Sequence, residues 1–239
     1  MERAIGLVVI PLALFAITFN TFSLSFGEIP TTTSLEIFEP HTKPYNLSYE
    51  DHIKKYWQWI ISIPVDVSPV NDKTGEKCGY NQLNSTFPVF FLSDGGGGKV
   101  ERTCKVPLGK GLLIPLMTVE VSDKEVPNVS IEDLHKIAKK DQDSVTSLYL
   151  KINNKEYLFE DLKKYRTHTT DFEVFFPKNA IFGASEGKSK VVADGYYIIT
   201  KPVTKGKHTI EFKASLICPG ADCLAPNFAQ DVKYTVLVD

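Results

Sequence analysis

Several groups of residues in this chain have types and spacings that could do chemistry. Asp66, Asn71, Asp72 and Thr74 crowd oxygen atoms into one short stretch ahead of Gly75. Such a run is a fragment of a calcium loop, but it lacks the D-x-[DN]-x-[DN]-G-x5-E spacing, and Asx turns bonding their own backbone account for the same residues. Asp66 with Asp72, or Glu101 with Glu120, would suit general acid–base attack on a glycosidic bond. Pairs of that kind also arise by chance in a chain with 29 acidic residues. The histidines (His41, His52, His135, His168, His208) and Met117 are scattered and form no soft-ligand cluster. Gly95 to Gly98 followed by Lys99 falls short of a phosphate loop, because a strand pattern rather than a helix follows. Neither a G-x-S-x-G elbow nor H-E-x-x-H occurs, so no catalytic, cofactor or metal residue is assigned.

Cys78, Cys104, Cys218 and Cys223 are an even set, which in an exported chain reads as two disulfides. Nearness in sequence favours Cys78–Cys104 and Cys218–Cys223, the second closing a tight loop expected to constrain little beyond itself. Both pairings leave no thiolate to act as a nucleophile.

Charge excludes more than it suggests. Lys and Arg total 27 against 29 acids, so nothing favours nucleic acid or an anionic membrane surface. The N-terminus places Arg3 before an apolar run to Phe19, a signal peptide over residues 1–27, with an uncleaved anchor as the alternative. Sequons at Asn46, Asn84 and Asn128 fit the same secreted or cell-surface address. Residues 28–47, rich in Pro and Thr, read as an extended linker.

The elements that must position these groups begin with a helix. Ser48 and Asp51 form a capping box, and Ile53, Trp57, Ile60 and Ile61 make its apolar stripe before Pro64. Trp59 points off that stripe, either packed under a second element or exposed as a contact residue. Val89 to Leu92 reads as a buried strand, and the glycines after it as a flexible hairpin connection. In the next strand Val100, Arg102, Cys104 and Val106 share one face. Arg102 therefore points inward and calls for a carboxylate partner, with Asp72, Asp66 and Asp94 at hand. Ser130 opens a second helix to about residue 141, and the remainder alternates as strands to the chain end. The sum is a mainly β chain. Residues 48–239 form a single antiparallel β-sandwich, jelly-roll or immunoglobulin-like, with two or three short helices.

In order along the chain, W-x-W-x-x-S-x-P, D-x-x-G-x-x-C, F-F-L before a glycine turn, R-x-C-x-V-P-x-G-K and D-G-Y-Y…G-K-H-T-I-E-F resemble a family of exported bacterial and archaeal proteins without assigned activity. The resemblance runs from about Ser48 to Asp239 and implies a secreted β-sandwich with an Arg and a Cys pair near its first strands. Trp57, Trp59, Asp72, Gly75, Cys78, Arg102, Cys104 and Lys110 carry it, and the Cys218–Cys223 loop has no place in it.

The functional expectation is an exported cell-envelope or extracellular binding or structural module that recognises a surface glycan or a protein. Trp59 and the pair Tyr196 and Tyr197 are contact candidates, since aromatic faces suit both partners. Two alternatives are an exported hydrolase acting on polysaccharide and a metal-binding envelope protein, the latter with calcium near Asp66, Asn71 and Asp72.

Overall fold

The computed structural model describes residues 1, 35–220, 223, 224 and 226–239. The expected export segment and the start of the linker lie outside these residues. Among the described residues no helix is long and apolar enough to cross a membrane.

The helix over Tyr49–Ile61 (α1) forms as its cap dictates: Ser48 Oγ accepts from the Asp51 backbone, and the Asp51 carboxylate accepts from the Ser48 backbone. It is buried on a wider face than the stripe alone predicts, because His52, Tyr56 and Trp59 are covered as well as Ile53 and Trp57. Among the described residues ten strands follow: β1 (Val89–Phe91), β2 (Gly98–Val106), β3 (Gly111–Ser122), β4 (Val145–Ile152), β5 (Lys155–Leu158), β6 (Arg166–His168), β7 (Phe172–Phe176), β8 (Gly187–Ile199), β9 (Gly206–Ile217) and β10 (Asn227–Val238). Between them lie α2 (Ile131–Asp143) and the short α3 (Phe159–Leu162).

The strands make two sheets. One runs β1-β3-β8-β6, with β7 also on β8; the other runs β2-β10-β9-β4-β5. The sandwich expected from the sequence is present, but each sheet is mixed, since β1 lies parallel to β3 and β2 parallel to β10. Inward residues of both sheets, among them Phe91, Ile114, Tyr197, Phe212 and Tyr234, share one core. A smaller core forms where Leu134 and Ala138 of α2 pack on Val121 and Val192 of β3 and β8.

One local expectation is corrected. Gly95 to Gly98 do not join a hairpin, because β1 and β2 belong to different sheets. Gly96, Gly97 and Gly98 have φ of 58°, 94° and 72°, a left-handed run open to glycine that lets the chain cross between layers. Gln230 of β10 fixes the crossover, its Oε1 accepting from the Gly95 N–H at 3.0 Å.

The described part of the expected linker lies against the sandwich. Phe38 N donates to Ile199 O at 2.9 Å, and Tyr45 Oη to Thr200 O at 2.9 Å.

Candidate functional site

Among the described residues Arg102 has the most densely bonded side chain. As the alternation of β2 requires, it points inward, and it is 3% exposed. Its Nε donates to Asp72 O at 2.7 Å and Nη2 to Val70 O at 3.0 Å. Nη1 reaches Asp94 O at 2.7 Å, Tyr234 Oη at 2.6 Å and Ser93 Oγ at 3.0 Å. The expected carboxylate partner is absent from this shell, which is built of backbone carbonyls and hydroxyls. The acids are engaged elsewhere. Asp72 accepts from the backbones of Thr74 and Lys77, and Asp66 from Asn179 Nδ2. Burial opposes ionisation of Asp72, but those backbone bonds outweigh it and hold its carboxyl below the usual range. Arg102 thus ties the loop before β1 and the crossover after it to β2 and β10.

The other sequence candidates are placed as follows. Cys78 pairs with Cys104 and Cys218 with Cys223, as nearness in sequence favoured. Trp59 packs under the loop after α1, its Nε1 donating to Tyr80 O at 3.1 Å, and Tyr196 and Tyr197 are buried on β8. None of the three presents a face to solvent, so their role as contacts gives way to packing. Lys110 Nζ donates to the carbonyls of Ser85 and Phe87, pinning that loop. Asn71 Nδ2 donates to Val65 O at 3.5 Å, so the Asn71 and Asp72 side chains serve their own loop, while Asp66 ties that loop to Asn179. Asn46, Asn84 and Asn128 lie outside the strands, and all three are exposed. Glu101 lies on the outer face of β2 and Glu120 inside β3, in different sheets, so that carboxylate pair is not formed.

What the structure does bring to Glu120 is another set of acids. The end of β3, the turn after it, α2 and the crossover after β1 enclose a cavity of about 340 Å³. Asp94, Glu120, Glu125 and Asp141 all line it, and among the described residues no Lys, Arg or His does. Its walls are apolar, formed by Trp57, Met117, Leu216 and Phe228, with Phe182 and Leu224 at the rim. Trp57 spends its indole N–H on Tyr197 Oη at 2.9 Å and so presents only carbon to the cavity.

Glu120 is 6% exposed, and among the described residues neither of its carboxyl oxygens has a hydrogen-bond partner. Gln142, 1% exposed, has both amide atoms unpartnered. Glu125 lies beside Glu120, close enough to act on its charge and, once one of the pair is protonated, to bond to it, and takes a bond from Ser122 Oγ at 2.6 Å. Burial, then the neighbouring Glu125, pushes the Glu120 carboxyl well above the usual range. Burial raises Glu125 too, despite its bonds to Ser122. Two acids sharing one desolvated site cannot both ionise readily, so protons stay on the pair.

The rim is held by strain and by a disulfide. Phe182 has φ of 62° and ψ of 7°, a left-handed conformation rare for a bulky residue, and is 57% exposed. The bridge between Pro64 and Ala180, and buried Ile181, anchor its turn. Opposite, Leu224 N donates to Asp141 Oδ1 at 3.2 Å. The Cys218–Cys223 bond therefore constrains more than its own loop: it holds a wall of the cavity against α2.

A second cluster is closed chemically. Arg166 grips Asp194 through Nε and Nη2 at 2.9 and 2.8 Å, and Asp143 through Nη1 at 2.7 Å. Both carboxylates are thereby paired with the guanidinium, and His135 and His168 line the same groove as Arg166 and Asp194.

No family model matches the chain, and no curated protein does. Two solved structures are similar to part of it. PbICP-C in complex with falcipain-2 has 12% identity over 63% of this chain and 98% of that one, at a TM-score of 0.24. The cysteine protease inhibitor EhICP2 from Entamoeba histolytica has 12% identity over 63% of this chain and 96% of that one, at a TM-score of 0.23. Likenesses this faint carry no argument about what this protein does.

Proposed function

We propose that this protein is an exported binding module whose recognition site is the cavity beside Glu120. Two disulfides fit a protein that works outside the reducing cytosol. One observation carries the assignment of the site: Glu120 and Gln142 are desolvated, face a cavity and have no partner among the described residues. Buried polar groups are ordinarily paired, so groups left bare in a cavity that opens at an exposed rim are suited to a ligand that supplies the bonds. The strained Phe182 at the mouth agrees, since such conformations persist where a site needs them.

The test compares the full chain with Val119→Trp, which fills the cavity from its lining, on arrayed oligosaccharides and arrayed short peptides. Signals present for the wild type and lost in a folded Val119→Trp support the reading. Signals that persist, or none from either class, count against it. A hydrolase acting on polysaccharide is the second reading, because two carboxyls with raised pKa in one cleft are what acid–base catalysis uses. Release of soluble sugar from dye-linked polysaccharide, abolished by Glu120→Gln, would reverse the ranking.

A further inference from the structure

Resting on that reading of the site, we propose that the cavity beside Glu120 receives an organic ammonium group carried on a short apolar body. The lining holds four acids and no base among the described residues, so its field favours a cation. Glu120 supplies two unpartnered acceptor oxygens and Gln142 Oε1 a third, matching the three N–H donors of a primary ammonium. Trp57, Phe182 and Phe228 offer aromatic surface to the methylenes or ring of the ligand and, within reach of the charge, to the cation itself.

A bare divalent cation fits less well. Among the described residues the one cluster of three acid or sulfur ligand atoms is Asp141 with Cys218 and Cys223, whose sulfurs are in a disulfide and carry no thiolate. Glu120, Glu125 and Asp141 do not converge on a common point in that way. Apolar walls would serve a metal ion poorly and an amine well.

The exchange is balanced in charge: the ammonium enters and the pair releases the proton it holds. Binding then strengthens as pH rises through the titration of the pair. The groups facing Glu120 are Glu125 from the turn after β3, Asp141 and Gln142 from α2, and Asp94 from the crossover. On β8 its partner is Ala193, and the adjacent Asp194 is already paired with Arg166.

The chain has two tryptophans, and Trp57 lines the cavity, so indole fluorescence of the full chain reports occupancy. The probes are phenethylammonium chloride, 2-phenylethanol, calcium chloride and an end-capped lysine tripeptide. At about pH 7.5, where the amines remain charged, phenethylammonium or the lysine peptide should give a saturable change, roughly tenfold tighter than the alcohol. Affinity should fall about tenfold near pH 5 and be lost in Glu120→Gln, with Glu125→Gln as a second variant should the first not fold. Tighter binding of the peptide identifies a partner chain as the source, and tighter binding of phenethylammonium a small molecule. Equal affinity for the alcohol, or a response to calcium alone, overturns the proposal and leaves the binding module standing. Silence from every probe overturns it too; the Val119→Trp comparison on the arrays then decides whether the module reading falls with it.

Discussion

Arg102 and Tyr234 sit opposite each other on the parallel strands β2 and β10, and the guanidinium donates to the phenol oxygen at 2.6 Å while that phenol donates to Ser93 O at 2.7 Å. The hydroxyl therefore passes a bond from the charge to the crossover before β2, fixing that segment to β10 through one side chain. Tyr234→Phe leaves a guanidinium N–H and the Ser93 carbonyl each short of a partner and should cost about 1–3 kcal/mol. Arg102→Met strands several buried carbonyls at once and should cost more, about 3–5 kcal/mol. Urea unfolding at neutral pH measures both; an Arg102→Met variant as stable as the wild type would remove the residue from the framework.

Glu120 and Glu125 predict an inverted alkaline limb. Their folded pKa values lie above the unfolded ones, so from about pH 4.5 upward the folded state holds more protons than the unfolded. Their contribution is thus fully present below that pH and is lost as pH rises through the folded values. Glu120→Gln removes the repulsion and should raise the melting temperature at neutral pH, by about 2–4 °C for each kcal/mol relieved, with little change near pH 4. Thermal melts of both proteins across that range check it; parallel curves would refute the shared proton.

Glu50 predicts the opposite limb. Burial opposes its ionisation, but bonds from Lys54 and from the Thr170 backbone and hydroxyl bring its carboxyl down to about 2. A depressed folded value means stability that is present above the unfolded pKa near 4.5 and is lost as pH falls toward about 2. Glu50→Gln should flatten that acid limb and leave the protein's behaviour above neutrality unchanged, as acid titration followed by circular dichroism would record.

Two devices readable in the sequence, the Ser48 cap of α1 and the in–out alternation of β2, depend on neighbours within a few residues. The cavity does not. Glu120 comes from β3, Glu125 from a turn, Asp141 and Gln142 from the end of α2, and their meeting depends on α2 packing across β3 and β8. Sequence alone offered Glu101 as the partner of Glu120, but the two strands diverge into separate sheets. The glycine run misleads for the same reason: its composition speaks for a turn, while Gly98 pairs with Gln230 far along the chain. Arg102 was legible as inward-facing, whereas its shell of carbonyls was not, because backbone oxygens carry no signature in side-chain sequence.

The two disulfides should fail differently. Opening Cys78–Cys104, with a sequence separation of 26, should cost about 3 kcal/mol of global stability. Cys218–Cys223, separated by 5, closes a shorter loop and should cost less, about 2 kcal/mol. Its larger effect should be on the cavity, since Leu224 loses the geometry that brings its N–H to Asp141. Double serine variants, compared by urea unfolding and by Trp57 fluorescence, distinguish the two; equal effects of both on the cavity would deny the second disulfide its special role as a wall.

Gly75 tests the join between the Asp72 turn and β2. Its φ is 93°, and a Cβ there would lie 2.4 Å from Thr103 O and 2.7 Å from Thr103 N, both backbone atoms that cannot swing away. Thr103 N is meanwhile bonded to Thr74 O at 2.8 Å, one residue from Cys104, so relief would have to break that bond or shift the disulfide. Strain and overpacking then add, and Gly75→Ala should cost about 2–4 kcal/mol. At Gly79 a methyl would meet nothing within 4 Å among the described residues, and the backbone there is not left-handed, so Gly79→Ala should change stability by no more than about 0.5 kcal/mol. Urea unfolding of this pair separates a steric requirement for glycine from a general sensitivity of the loop, because only the first predicts that the two variants differ.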